Sequence, residues 1–172
     1  MGYTLDQLAG DIRETLKSRP MPAGGEAVCA HVERALTDET FRTENFGSDK
    51  TEKRTIVHED PELGFCICVH IYEGAADSGP HDHGSSWAIY GQADGETEMT
   101  DWRIVTPVSG EKPAQVAAER VYTLTPGMAH FYPVGAVHSP TRKDSTKLLR
   151  IEGANLDTIK RTPIVRAESE NA

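Results

Sequence analysis

The chain has 172 residues and a formal net charge of −9 at pH 7. That length suffices for one domain with its own core, and the sign of the charge excludes the basic patch that a nucleic-acid or anionic-membrane surface requires. No apolar run approaches the roughly 18 residues of a membrane span. The three cysteines are an odd count, and the N-terminus has neither the basic nor the apolar part of an export signal, so the expected setting is reducing and cytoplasmic.

Taken in order, residues 3–19 read as a helix. Thr4 is placed to cap it, Leu5, Leu8, Ile12 and Leu16 recur at helical spacing, and Pro20 and Pro22 end it. A second helix is predicted over about 26–37, with Val28, Val32, Ala35 and Leu36 on one side. The pair is expected to form an N-terminal appendage, residues 1–45, packed on the outside of the rest of the chain.

From residue 40 the texture changes. Residues 51–58 and 64–72 read as strands joined by a Glu-Asp-Pro-Glu-Leu-Gly turn, and strands are expected over 78–91, 95–105, 120–124, 129–132, 137–139 and 147–151. Residues 106–113 read as a loop, and 166–172 as a polar, frayed tail. Many short strands punctuated by Gly and Pro make the fold class mainly β, a sandwich or barrel over residues 46–165 with an α-helical appendage.

The stretch with most chemistry is Gly79-Pro80-His81-Asp82-His83-Gly84, followed by an apolar run. In an extended strand the side chains at i and i+2 leave one face, so His81 and His83 can meet one metal ion. His138, after the turn Pro133-Val134-Gly135, is the best third ligand, and Gly84 and Gly135 permit close backbone approach. Three neutral imidazoles suit Fe, Zn, Cu or Ni.

These two segments, Gly-Pro-His81-x-His83-Gly-x-x-Trp87 and Pro133-x-Gly135-x-x-His138, resemble the two motifs of the cupin superfamily. The first is most similar to that of the thiol dioxygenases, the cysteine and 3-mercaptopropionate dioxygenases. The resemblance spans roughly residues 50–155 and implies a double-stranded β-helix, a jelly-roll barrel. Many cupins add a glutamate after the His-x-His pair. Residues 84–91 contain no carboxylate, which fits the three-histidine site of the thiol dioxygenases. The resemblance implies Fe(II) as the metal, although Zn, Ni or Mn also suits the ligand set. It further implies a small thiol, its carboxylate held by an arginine, and dioxygen as partners, with a sulfinic acid as product. A monomer or homodimer is expected, with neither nucleic acid nor membrane as partner.

Arg54 matches the family's carboxylate-binding arginine, and can equally be an exposed strand-end residue beside Lys53. The family's Ser-x-His-x-Tyr relay falls on Leu148, Arg150 and Glu152, so all three of its residues are absent. Arg150 and Glu152 share a strand face, either as a structural pair or with Arg150 as a second anion anchor. Ala88 and Glu152 replace the cysteine and tyrosine of the animal cross-link. His130 reads as a core histidine or a pocket residue. Trp87 and Tyr90 read as barrel core, with Trp87 as an alternative pocket wall. Tyr122 and Tyr132 are alternative pocket hydroxyls. The Cys66-x-Cys68-x-His70 face is unlike a zinc knuckle in spacing and reads as core packing. His31 and His58 read as unpartnered surface residues. Two other functions share this metal site: cleavage of a C–C bond in a diketone-like substrate, and non-enzymatic metal or small-molecule binding.

Overall fold

The computed structural model describes residues 2–168. Helix α1, Leu5–Ser18, opens on a capping box. Thr4 accepts from the Gln7 amide at 3.1 Å, and the Gln7 side chain accepts from the Thr4 amide at 2.9 Å. Helix α2 spans Gly25–Thr37 and lines Val28, Val32, Ala35 and Leu36 along its buried face. A third helix, α3 at Glu39–Phe46, corrects the expectation of two. It is short and mostly polar, so helical periodicity is faint. It is fixed instead by Asp38, whose carboxylate accepts from the Phe41 amide at 2.9 Å and the Tyr3 amide at 3.0 Å, and by burial of Phe41 and Phe46.

Among the described residues, ten strands come after the helices: β1 Arg54–Glu59, β2 Cys66–Tyr72, β3 Ala76–Asp77, β4 Ala88–Asp94, β5 Thr97–Thr106, β6 Ala114–Leu124, β7 Ala129–Tyr132, β8 Val137–Arg142, β9 Thr146–Glu152 and β10 Ile164–Arg166. They form two five-stranded sheets, ordered β1-β2-β9-β4-β7 and β10-β6-β5-β8-β3. From β2 to β9 the chain alternates between the sheets except at the β5–β6 hairpin, so that β2, β9, β4 and β7 face β3, β8, β5 and β6. This is the two-Greek-key winding of a jelly roll, the double-stranded β-helix. The closing strand β10 pairs in parallel with β6 and places Arg166 in a strand, where a frayed tail is expected from the sequence. Of that expected tail, residues 169–172 lie outside the described residues.

Strand alternation sorts each β-strand of the first sheet into two faces. Ile67, Val69, Ile89, Ala93, Leu149 and Ile151 join Leu8, Ile12, Val32, Leu36 and Phe41 in one apolar cluster under the helices. Gly91 marks the closest approach. A Cβ there would stand 2.6 Å from Val32 Cγ1 and 2.8 Å from Leu36 Cδ1, so only glycine lets α2 lie flat on β4. The opposite face carries Cys66, Cys68, His70, Ala88, Tyr90, Leu148, Arg150 and Glu152 into the barrel. The helices therefore share a core with the barrel's outer wall.

Candidate metal centre

Residues 78–91 are not one strand as the sequence suggests: β4 begins only at Ala88. Pro80 and Gly84, which has φ +58°, break the extended run. The imidazoles converge for a different reason. His81 and His138 face each other through a reciprocal antiparallel bridge, each amide donating to the other's carbonyl at 3.0 Å. Asp82 then ties down the turn, its Oδ1 accepting from the amides of Gly84 at 3.0 Å and Thr162 at 3.1 Å. A Cβ on Gly84 would meet the Lys160 carbonyl at 2.3 Å, so this turn and the 159–162 segment need glycine to nest together.

The result brings together the three predicted ligands. Donor atoms of His81, His83 and His138 lie within 4.8 Å of one another, and among the described residues no carboxylate joins them. His83 and His138 are buried and His81 is partly exposed. His81 Nδ1 lies 3.0 Å from the Gly79 carbonyl, which can only accept, so Nδ1 carries the hydrogen and Nε2 the lone pair. Burial holds all three pKa values down. His83 falls to about 3, with Arg150, His81 and Arg161 adding to the burial effect, and His138 lies well below the usual histidine range through burial and its two imidazole neighbours. The rings are neutral at pH 7, the form that binds metal. His83 Nε2 and His138 Nε2 both face the Tyr90 hydroxyl, at 3.0 and 3.2 Å. One hydroxyl has one hydrogen, so it can donate to only one of these nitrogens and accept from the other. The donor set fits a divalent transition-metal ion.

Tyr90 is the residue whose role the sequence concealed. It sits in an apolar strand, where barrel core is the ordinary reading. Only its register shows that its side chain enters the barrel beside His83. Arg150 lies opposite Tyr90 across β4 and β9, and its guanidinium stacks on the Tyr90 ring, 4.3 Å from the centroid. Arg150 is almost enclosed, its Nη1 is 3.8 Å from Glu152 Oε1, and its Nε has no partner among the described residues.

Arg54 is placed differently. Its Nη2 binds Glu152 Oε2 at 2.8 Å and Asn155 Oδ1 at 3.3 Å, and its Nη1 binds Asp157 Oδ2 at 2.7 Å. Glu152 Oε2 also accepts from the Leu156 amide at 3.2 Å. Arg54 thus stitches β1 to the segment after β9 with its fork already occupied. Glu152 is shared between the two arginines.

Trp87 packs with the cluster under the helices, not toward the imidazoles. The Tyr132 ring stands 4.0 Å from that of His138, but its hydroxyl meets Tyr122, whose own hydroxyl donates to Asp101. His130 is packed between the rings of Tyr122 and Tyr132. His31 meets Thr15 Oγ1 at 2.9 Å and so has a partner, whereas His58 Nε2, 3.6 Å from Asp60 Oδ1, has no hydrogen-bond partner among the described residues. All three cysteines are free and buried. Cys68, His70 and Glu152 also bring ligand atoms within 4.8 Å. Here, however, burial and the charges of Arg150, Arg54 and Arg142 hold His70 down to about 2, and Arg54 already neutralises Glu152. That positive surround opposes a cation.

No protein-family model matches the sequence, and no curated protein matches it. Solved structures similar to this chain include three described by their cupin or double-stranded β-helix domains or by name. A cupin-2 domain protein from Shewanella frigidimarina is 16% identical and covers 59% of this chain and 80% of its own, with a TM-score of 0.42. A conserved protein with a double-stranded β-helix domain from Klebsiella pneumoniae is 13% identical, covering 64% and 77%, with a TM-score of 0.45. KdgF from Halomonas sp. is 19% identical, covering 62% and 82%, with a TM-score of 0.43. Among the described residues no helix is long and apolar enough to cross a membrane.

Proposed function

We propose that this chain is a non-haem iron dioxygenase that oxidises the sulfur of a small thiol carboxylate to a sulfinic acid. The observation that carries the reading is the cluster of His81, His83 and His138 without a carboxylate among its donors. The three imidazoles are neutral and offset none of the ion's charge, which favours an anionic thiolate over a neutral substrate. Iron, held by these three imidazoles, would supply the redox chemistry that adds both atoms of dioxygen to the thiol sulfur, with no external reductant.

The chain's own groups define the rest. Arg150 is permanently charged, close to the imidazoles through Tyr90, and has an Nε free of partners among the described residues. It is the anchor for the substrate carboxylate. Arg54 holds Glu152 and Asp157 instead, so the family's anchoring task moves to another strand. Tyr90, Tyr132, Met99 and Ala88 are buried around the site and exclude water from it. This enclosure, with only His81 partly exposed and a guanidinium beside it, counts against the non-enzymatic reading, which calls for an open site without a positive group. The occupied fork of Arg54 does favour one alternative, cleavage of a diketone-like substrate that chelates the metal through two oxygens and needs no carboxylate anchor there.

Oxygen uptake separates these readings. Iron-loaded protein is expected to consume oxygen with thiol carboxylates and to yield sulfinate in equal amount. Oxygen uptake with diketones and none with any thiol would replace the leading reading by the second.

A further inference from the structure

The three imidazoles are not the whole metal-facing surface. We propose that Tyr90 Oη is a fourth protein ligand of the ion. This rests on the reading that His81, His83 and His138 hold a metal, and not on the thiol reaction. The Tyr90 hydroxyl stands 3.0 Å from His83 Nε2 and 3.2 Å from His138 Nε2, and these are its only hydrogen-bond contacts among the described residues. Bonds of about 2.0–2.1 Å from one ion put neighbouring donor atoms about 2.8 to 3.4 Å apart, from octahedral to tetrahedral arrangements. An ion bound by both Nε2 atoms on the side that the hydroxyl occupies comes within bonding reach of the oxygen.

The rest of the setting agrees. Tyr90 is 2% exposed, so no water competes for its hydroxyl from outside. Its ring is held in place by Arg150 on one side and by the Tyr132 ring, with centroids 5.0 Å apart. The Arg150 guanidinium, 4.3 Å from the ring centroid, balances the negative charge of a bound phenolate. On coordination the phenolic proton leaves to solvent, and the oxygen's lone pair takes its place on the ion. None of the three relay positions, Leu148, Arg150 and Glu152, carries a hydroxyl here. The hydroxyl at this site comes instead from β4, only seven positions beyond His83.

Copper(II) alone is a suitable probe, because it is the tightest-binding divalent ion for nitrogen and oxygen sites and gives a visible phenolate-to-metal charge-transfer band. The metal-loaded full-length chain is expected to show this band. Tyr90→Phe should lose it and bind copper about tenfold or more weakly, while Tyr132→Phe, which alters the other tyrosine against His138, should keep it. If wild-type protein binds copper through nitrogen alone with no phenolate band, or if Tyr90→Phe retains the band and the affinity, Tyr90 is not a ligand and the histidine triad stands. If wild-type protein binds no copper, both the triad and the tyrosine fall together.

Discussion

The two faces of the sheet β1-β2-β9-β4-β7 are built from the same strands to opposite ends. The face under the helices has an apolar core, with Ile67, Ile89, Leu149 and Ile151 each 0% exposed. The face inside the barrel is also largely enclosed but carries three imidazole-bearing or charged positions in close order: His70 and Glu152, both buried, and Arg150, with its side chain 12% exposed. Burying such groups costs free energy unless they are paired, and several of their atoms, including His70 Nε2 and Arg150 Nε, lack a partner among the described residues. A fold that can fill one face with leucine and isoleucine has no structural need for arginine on the other. The stability of the domain lives on the outer face, and the inner face is arranged for chemistry.

Adjacent residues on β9 offer the sharpest way to break this contrast. Leu149 points to the helices, and Leu149→Ala should cost about 2–5 kcal/mol of folding free energy. The protein that remains folded should hold metal and bind substrate as before. Urea unfolding with a parallel metal assay measures both. A loss of metal affinity in this variant would mean that the two faces are not separable.

Arg150, one position on, should behave in reverse. Arg150→Met keeps the bulk of the side chain and leaves Glu152 paired with Arg54, so the stability change should stay within about 2 kcal/mol. The Michaelis constant for a thiol carboxylate should rise about tenfold or more, with little change for a thiol that lacks the carboxylate. Equal effects on the two substrates would remove Arg150 as the anion anchor.

Much of this division can be read in the sequence, and its gaps have physical causes. Helices α1 and α2 are plain because their apolar residues keep helical spacing, and the three histidines stand out by motif. Helix α3 is hidden because a capping aspartate and two phenylalanines, not periodicity, hold it. Strand β6, Ala114–Leu124, is foreseen only from Arg120 onward. Its inward residues at the start include Ala114, and alanine gives a weak period-2 signal. The partner of Arg54 is set by a segment almost a hundred residues later, a contact that no local pattern encodes. Tyr90 is legible as core and illegible as a site residue, because its place beside His83 depends on the turn at Gly84, not on strand alternation through residues 81–90.

The smallest effect belongs to His70, which tests the inner face through its charge balance. Its folded-state pKa is held down to about 2, by burial first and then by Arg150, Arg54 and Arg142, against an ordinary 6.5. Above pH 6.5 neither state of His70 is protonated, and its contribution to stability is full. As pH falls below that value the unfolded chain takes up a proton that the folded chain refuses, so stability declines by up to about 1.4 kcal/mol per pH unit. The decline continues until the folded pKa is reached. His70→Gln removes this one proton from the linkage while keeping a group that can bond the Tyr72 hydroxyl, now 2.8 Å from His70 Nδ1. In metal-free protein, the variant should therefore show a shallower loss of stability between pH 7 and pH 5, by about 2 kcal/mol at the acidic end. Parallel stability curves for the two proteins would show that His70 can be protonated without unfolding, and that the positive surround of the inner face does not exclude a cation.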